Sequence, residues 1–221
     1  MPKRAMFVTI GQSPRPDIMP ELLAAARTPL GAEECGVLDG LDEREIAGMS
    51  VRNGAALLVS RLRDGQEVVL DHRAVESRLV TLLGELDRSG YDLIVLLCSG
   101  RFRKFALVTP FIEPEHVLDH FAQGLAYGAQ RIGVMLPHRE QIADFSPLPG
   151  LAARFDVVSP YAGAGEERFR AAGRALKDTG LIVMHCMGYT EAMRRSVMKE
   201  AKRPVLLPRR VVAHAIDLIL S

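Results

Sequence analysis

The chain has 221 residues, of which 48% are hydrophobic and 25% are charged, a composition typical of a folded globular protein. The 28 Lys and Arg residues nearly balance the 27 Asp and Glu residues, and Trp is absent. This balance argues against nucleic acid or an anionic membrane as a partner, and it leaves a small molecule as the expected one.

Short apolar runs alternate with amphipathic segments along the whole chain. In the first half the pattern predicts strands at 5–10, 35–41, 67–70 and 91–98. It predicts helices at 15–27 and 72–88, and a helical or mixed segment at 51–62. In the second half it predicts strands at 131–136, 155–158, 181–186 and 205–207. It predicts helices at 115–127, 166–177, 189–201 and 209–220. Such alternation with short connections is typical of an α/β fold with parallel sheets.

The compartment is predicted from the cysteines and from the apolar runs. The three cysteines are widely spaced and odd in number, which favours a reducing compartment over a disulfide framework. The first ten residues lack the long apolar region of a signal peptide. The longest apolar runs have the length of a strand, whereas a membrane-spanning helix needs about 20 residues. We therefore predict a cytoplasmic protein with no membrane partner.

One short pattern occurs twice. Segments 93–100 and 181–188 are each an apolar strand with a cysteine at its carboxyl end, Cys98 or Cys186, and a glycine two residues later. Ligands of α/β sheets bind beyond the carboxyl ends of strands, and amides there can lower the pKa of a thiol. We predict that the two cysteines are catalytic and face one another across a cleft, with roughly 7–9 Å between the sulfurs. The alternative is that each is a small apolar core residue.

Other familiar sites fail at decisive positions. A cysteine-phosphatase loop needs an arginine six positions after the nucleophile, where this chain has Lys104 or Ala192. The dinucleotide-like start at 163–165 lacks its third glycine. His116 and His120 have the spacing of one helix face, but a solvated face explains them better than zinc does. We therefore predict no cofactor and no metal.

Three segments are candidates for substrate binding. The loop after the first strand opens a helix, and its amides, hydroxyl and guanidinium suit a carboxylate. Its alternative roles are a helix cap at Ser13 and a surface ion pair between Arg15 and Asp17. The other two segments follow the cysteines. Together the predicted binding residues are Gly11, Gln12, Ser13, Arg15, Ser99, Gly100, Arg101, Gly188, Tyr189 and Thr190.

Five motifs together resemble a known family. They are IGQSPRPD at 10–17, LDGL at 38–41, LRDG at 62–65, LCSG at 97–100 and CMGYT at 186–190. They resemble the AroM family, which is similar to the aspartate/glutamate/hydantoin racemase superfamily. The resemblance implies an α/β fold of two similar lobes, with parallel-rich sheets flanked by helices and an active-site cleft between the lobes. We expect an N-terminal lobe of residues 1–100 and 205–221 and a C-terminal lobe of residues 101–204.

The resemblance also implies a chemistry. In the superfamily, without a cofactor, one thiolate removes a proton next to a carboxylate and the opposite thiol returns one on the other face; relatives with altered cysteines decarboxylate or isomerise. Cys98 and Cys186 match the two cysteine positions. Amino-acid racemases follow their cysteines with Asn-Thr and Thr-His and carry an acidic residue at the position of Gln12, so this chain lacks those ammonium-binding groups.

The resulting prediction is a cysteine-dependent racemase, isomerase or decarboxylase-like enzyme that acts on a small carboxylate metabolite. The alternative is a non-catalytic protein that binds a small carboxylate in the same cleft. Either interpretation is compatible with a homodimer.

Overall fold

The computed structural model describes residues 2–51, 56–126, 128–146 and 148–221. Its strands are β1 (Lys3–Thr9), β2 (Leu30–Gly36), β3 (Leu57–Arg61), β4 (Glu67–Asp71), β5 (Leu93–Leu96), β6 (Phe111–Ile112), β7 (Arg131–Leu136), β8 (Ala152–Val157), β9 (Leu181–Met184) and β10 (Val205–Leu206). Its helices are α1 (Met19–Ala25), α2 (Glu43–Gly48), α3 (His72–Leu86), α4 (Pro114–Leu125), α5 (Gln141–Asp144), α6 (Glu166–Ala175), α7 (Glu191–Ala201) and α8 (Pro208–Leu220). No helix in these described ranges is long and apolar enough to cross a bilayer.

The first sheet has the order β2-β1-β5-β6, and all of its strands are parallel. Successive side chains of a strand point to opposite faces, so both faces of a fully buried strand need a partner layer. Met6 and Val8 of β1 pack in the same cluster as Leu79 of α3. Phe7 packs on the other side, with Leu22 of α1. The predicted apolar strands therefore lie between two helical layers.

The second sheet repeats this arrangement with the order β10-β9-β7-β8, again all parallel. Ile182 and Met184 of β9 pack in one cluster with Phe169 of α6. Leu181 and Val183, on the other face, pack with residues of α4. The predicted α/β fold with parallel-rich sheets in two similar lobes is confirmed.

Several predicted boundaries differ from the structure. The predicted strand at 35–41 is wrong beyond Gly36, where the chain turns and the Asp39 carboxylate accepts the Gly36 N–H. In the segment predicted as helical or mixed at 51–62, residues 57–61 form β3, which pairs with β4 in an antiparallel hairpin. Residues 52–55 of that segment, and Tyr127 at the end of a predicted helix, lie outside the described residues.

The two sheets do not divide the chain at the predicted lobe boundaries. β6 at Phe111–Ile112 pairs with β5 in the first sheet, although it lies beyond residue 100. β10 at Val205–Leu206 pairs with β9 in the second sheet. Helix α8 contributes Val212 to a cluster of the first lobe and Val211 to a cluster of the second. The C-terminal helix therefore packs against both lobes.

A glycine in α6 allows close packing against α7. A Cβ atom at Gly173 would lie 2.4 Å from the carbonyl oxygen of Val197. We expect Gly173→Ala to lower the free energy of unfolding by about 1–3 kcal/mol, since the two helices must move apart. Gly84→Ala in α3 is the matched control, because a Cβ there meets nothing within 4 Å and alanine is the better helix former by about 0.5–1 kcal/mol. Equal losses in urea unfolding of the two variants would contradict this.

Candidate active site

A cavity of about 280 Å³ lies where the carboxyl ends of β5 and β9 meet the β3 strand of the hairpin. Cys98 and Cys186 both line it, and each is 8% exposed. Its polar lining includes Ser60, Ser99, Glu115, Asp119, Tyr161 and His185. The structure therefore brings the two cysteines of the repeated motif to one cavity.

The repeated motif has the same local geometry in both lobes. The Gly100 N–H donates to the Cys98 sulfur at 3.3 Å, and the Gly188 N–H donates to the Cys186 sulfur at 3.4 Å. Each bond spans two residues, so the glycine after each cysteine turns its amide back to the thiol. The third cysteine, Cys35, is free and does not line the cavity.

Burial governs the acidity of both thiols. It raises the pKa of Cys98 to about 12, against the lowering effect of the Gly100 amide, and it also raises the pKa of Cys186. The expectation that loop amides would lower the pKa of the thiols is therefore wrong for the net shift: the amides act in that direction, but desolvation outweighs them. At Cys186 the Gly188 amide, the charge of Arg15 and a hydrogen bond from the Tyr161 hydroxyl all oppose burial.

Arg15 lies behind the cavity wall, not inside the cavity. It is 2% exposed, and it pairs with both carboxylate oxygens of Asp17, at 2.9 and 2.8 Å. Its Nη1 donates to the hydroxyl oxygens of Thr9 at 2.8 Å and Ser60 at 3.3 Å, and its Nη2 donates to the Tyr161 hydroxyl at 3.0 Å. Since Ser60 and Tyr161 line the cavity, the charge of Arg15 acts on it through two hydroxyl groups.

The rest of the predicted carboxylate loop serves other contacts. The Ser13 N–H and hydroxyl both donate to the Asp39 carboxylate, at 2.9 and 2.6 Å, and Ser13 does not cap α1, which begins only at Met19. The Gln12 side chain accepts the Arg63 N–H at 2.9 Å. A Cβ at Gly11 would lie 2.4 Å from a backbone oxygen of the hairpin. This loop thus fixes the hairpin and is not part of the cavity lining.

The two segments after the cysteines have different positions. Ser99, Gly100 and Arg101 line the cavity, whereas Gly188, Tyr189 and Thr190 do not. Each of the latter makes another contact. The Gly188 carbonyl accepts from Arg209 of α8, the Tyr189 hydroxyl donates to the Val158 carbonyl, and the Thr190 hydroxyl caps α7. The three residues lie behind the cavity lining in this structure, and their contact with a substrate stays a prediction.

Sequence reasoning missed many lining residues, among them Tyr161, His185, Glu115 and Asp119. It predicted a solvated helix face for His116 and His120, and Asp119 lies between these two histidines in the sequence. In the structure Asp119 faces the cavity, while His120 bonds to the carbonyl of its own helix. The i, i+4 spacing of Glu115 and Asp119 in α4, on the same side as the buried Leu118 and Ala122, was the available signal.

The α4 side of the cavity is acidic. Arg101 Nε donates to Glu115 at 2.6 Å, and Arg101 Nη2 lies 3.4 Å from Asp119. Burial, together with the charge of Glu115, raises the pKa of Asp119 to about 7. Burial lowers the pKa of His185 to about 4, so this imidazole is neutral.

One group of side chains at the start of α4 has the spacing of metal ligands. Glu113, Glu115 and His116 each place a ligand atom within 4.8 Å of the others. The guanidinium of Arg101 pairs with Glu115 in this group. A cation of the protein itself therefore already balances part of its charge, and a metal ion is not required for that purpose.

The pKa of Asp119 predicts a pH-dependent stability. Because its pKa in the folded protein lies above the ordinary value of 3.8, its favourable contribution is complete below about pH 4 and is lost as the pH rises through about 7. The free energy of unfolding of Asp119→Asn, relative to that of the wild type, should therefore rise by about 1 kcal/mol from pH 4 to pH 8. This value allows for screening by solvent. Urea unfolding at both pH values measures this gain. Asp178→Asn, which removes an exposed carboxylate, is the control, and an equal gain there would contradict the prediction.

The fold of this chain is also found in solved structures of other proteins. The chain is similar in structure to the maleate isomerase Iso from Pseudomonas putida S16 (TM-score 0.66, 14% identity, 100% of this chain and 93% of that one). It is also similar to the glutamate racemase isoform RacE1 from Bacillus anthracis (TM-score 0.60, 12% identity, 99% of this chain and 81% of that one). A third similar structure is allantoin racemase from Klebsiella pneumoniae (TM-score 0.58, 15% identity, 99% of this chain and 87% of that one). These likenesses show a shared fold. No curated protein matches the chain significantly.

The five motifs that resemble a family all lie in the part of the chain that a family model matches. The model described as AroM protein covers residues 6–220, which include both cysteine motifs and the loop after β1. The chain therefore belongs to the AroM family, and its fold is that of racemases of the aspartate/glutamate kind.

Proposed function

We propose that this protein is a cysteine-dependent enzyme that transfers a proton at a carbon next to a carboxylate, as a racemase or isomerase of a small metabolite. The observation that carries the proposal is the pair of equivalent thiols, Cys98 and Cys186, on one cavity. The fold shared with racemases and an isomerase supports the same general chemistry.

The surroundings of the two thiols suggest different resting roles. Cys186 has the hydroxyl of Tyr161 and the charges of Arg15 and Arg209 to stabilise a thiolate. The Gly100 amide and the charge of Arg15 also favour a thiolate at Cys98, but the charges of Cys186 and Glu113 oppose it there. We therefore assign Cys186 as the base that takes the proton from carbon and Cys98 as the thiol that supplies a proton on the opposite face. After one turnover the protonation states are exchanged, and proton transfer through solvent restores them.

The hydroxyl groups in front of Arg15 suit the charge that develops during the reaction. Removing a proton next to a carboxylate moves negative charge onto its oxygens. The hydroxyl oxygens of Ser60 and Tyr161 accept hydrogen bonds from Arg15. The Ser60 proton can therefore be donated to the substrate, and the Tyr161 proton, which the Cys186 thiolate accepts, becomes available once Cys186 is protonated. Such fixed donors stabilise an enolate-like transition state without reorganisation. The proposed chemistry needs no cofactor and no metal.

The test is proton exchange in deuterated water. The Cys35→Ala variant, in which the two cavity cysteines are the remaining thiols, is incubated with a pool of small carboxylic acids. We expect it to introduce deuterium next to the carboxylate of one of these acids, and mass spectrometry detects the change. Alkylation of its thiols should abolish the exchange. Activity that survives alkylation, or that a chelator removes and zinc or magnesium restores, would overturn the proposal.

A second candidate function is binding without catalysis. One observation favours it: burial raises the pKa of both cavity thiols, which holds them in their protonated, less reactive form. A binder would retain an acid of the pool in equilibrium dialysis but show no deuterium incorporation. The exchange experiment therefore separates the two functions.

A further inference from the structure

We infer that Arg209 is a positioning residue for Cys186: it fixes the peptide that follows this cysteine, so that a peptide N–H backed by a buried positive charge stabilises the Cys186 thiolate. The inference rests on the proposed function, because it gives the physical reason why Cys186, and not Cys98, is the base. Arg209 does not line the cavity, so it acts on the thiol through another group.

Arg209 is held against the loop that follows β9. It lies in the first turn of α8, and its side chain is 1% exposed. Its Nε donates to the Met187 carbonyl at 2.8 Å, and its Nη2 donates to the Gly188 carbonyl at 2.9 Å. Its Nη1 pairs at 3.0 Å with Glu21 of α1, which also accepts the Glu191 N–H at 3.1 Å. Because the donors of a guanidinium lie in one rigid plane, these contacts fix its orientation.

One peptide unit carries the effect of Arg209 to the thiol. The Met187 carbonyl and the Gly188 N–H belong to the same planar unit, and in a trans peptide they point in opposite directions. Arg209 holds the carbonyl end, and the N–H at the other end donates to the Cys186 sulfur at 3.4 Å. Hydrogen bonds in such a chain polarise one another, and here the polarisation favours a negative charge on sulfur. Arg209 therefore both orients and strengthens the amide.

The charge of Arg209 acts in the same direction as this hydrogen bond. Burial raises the pKa of Cys186, and the positive charge of Arg209 opposes the rise together with Arg15 and the Tyr161 hydroxyl. The side chain of Glu21, which balances the charge of Arg209, is 41% exposed, so solvent screens its negative charge. The positive member of this ion pair is thus buried behind the loop, while the negative member is in contact with water.

The equivalent peptide at Cys98 has no such cation behind it. The Gly100 N–H donates to the Cys98 sulfur at 3.3 Å, in the same local geometry. In the part of the chain that the structure describes, no arginine or lysine side chain donates to the Ser99 carbonyl at the other end of that peptide. The two motifs are therefore alike in backbone geometry and differ in what holds the peptide.

The side chains packed on the two glycines differ in the same sense. A Cβ atom at Gly188 would overlap the hydroxyl of Tyr161, so the glycine makes room for a polar group that bonds to Cys186. A Cβ atom at Gly100 would overlap a methyl group of Leu58. Both differences favour the thiolate at Cys186.

The experiment compares proteins that retain one thiol, so it does not depend on turnover. Cys35→Ala combined with Cys98→Ala leaves Cys186, and Cys35→Ala combined with Cys186→Ala leaves Cys98. The rate of alkylation by iodoacetamide is measured as a function of pH, because the thiolate is the reacting form. We expect the Cys186 rate to level off at a lower pH than the Cys98 rate, a comparison that does not depend on how easily the reagent enters.

Variants assign this difference to Arg209. In the protein that retains Cys186, Arg209→Met should slow alkylation at neutral pH at least tenfold. Arg209→Lys should slow it at least threefold, because lysine keeps the charge but lacks the rigid fork that binds both carbonyls. Arg203→Met is the matched control and should leave the rate within twofold: Arg203 also donates to a carbonyl, that of Lys177 at 2.9 Å, and neither residue lines the cavity.

The sign of the change separates positioning from a general structural role. If Arg209 only kept the loop folded, its removal would admit water to the thiol and speed alkylation. In the protein that retains Cys98, Arg209→Met should leave the rate within twofold. Circular dichroism confirms that each variant is folded; the Arg209→Lys result and the comparison of the two thiols with Arg209 in place do not depend on the methionine variant.

Three results would overturn the inference. They are unchanged or faster alkylation of Cys186 in either folded variant, equal slowing of Cys98, and a Cys186 rate that levels off at a higher pH than the Cys98 rate. Slower alkylation of Cys186 in Arg209→Met without deuterium exchange in the wild type would retain the role of Arg209 and refute the catalytic role of the cysteines. Deuterium exchange with unchanged alkylation would retain the proton transfer and refute the role of Arg209.

Discussion

Replacing either cavity cysteine with alanine should abolish inversion of the substrate while leaving a trace of exchange on one face. In Cys98→Ala, Cys186 can still remove a proton and return a deuteron to the same face, but the opposite face has no donor. We expect the rate of inversion to fall about 10²–10⁴-fold, the usual contribution of a positioned acid or base. Chiral chromatography combined with mass spectrometry measures inversion and exchange in the same sample.

The double variant and the third cysteine sharpen this test. Cys98→Ala combined with Cys186→Ala should lose the one-face exchange as well, and its loss of inversion should be no larger than that of either single variant, because the two thiols act as a unit. Cys35→Ala should retain full activity, since Cys35 does not line the cavity. Full inversion by either single variant of the cavity pair would exclude a two-thiol mechanism.

Removing Arg15 should cause the largest loss of stability among single substitutions near the site. Arg15→Met removes the closer ion-pair partner of Asp17, whose side chain is 17% exposed, and leaves it only the longer 4.0 Å pair with Arg61. It also removes donors from Ser60 and Tyr161. Breaking one side of a buried ion pair costs about 3–5 kcal/mol, so we expect the free energy of unfolding at pH 7 to fall by about 3 kcal/mol.

Two further variants test the cause of that loss. Arg15→Met combined with Asp17→Asn should recover part of the stability, because no unpaired charge then remains. Arg4→Met, which breaks an exposed pair with Glu33 (50% and 48% exposed side chains), should change the free energy of unfolding much less than Arg15→Met does. A loss of equal size in Arg15→Met and Arg4→Met would show that burial of the Arg15 pair is not the reason.

The pH dependence of the Arg15 effect has a defined sign. Burial raises the pKa of Asp17, but hydrogen bonds and charge from Arg15 outweigh it and hold the pKa below its usual value. The contribution of the pair is therefore complete above the unfolded pKa of about 4 and is lost as the pH falls below it. The difference between Arg15→Met and the wild type should accordingly shrink from pH 7 towards pH 3.

The sequence alone was sufficient for the features that depend on local pattern. Alternating apolar and amphipathic segments define parallel strands and their helices, because the periodicity of a segment reflects which of its faces is buried. Helix α3 at 72–86, for example, buries Val75, Leu79 and Leu83 at the expected spacing. The repeated motif placed Cys98 and Cys186 at the carboxyl ends of equivalent strands. These strands belong to different sheets, so the packing of the two lobes brings the two thiols to one cavity.

Only the tertiary structure decided which side chains face the cavity. Arg15 was expected to bind substrate, but its hydrogen bonds reach Ser60 and Tyr161, which are 45 and 146 residues away in the chain. Asp119 lies on a helix whose exposed and buried sides depend on how α4 packs beside the cavity. Such contacts bring together segments from different parts of the chain, so no local pattern contains them. The positions of Arg15, Tyr161, Glu115 and Asp119 were therefore determined by packing between elements, which sets their burial and their neighbouring charges.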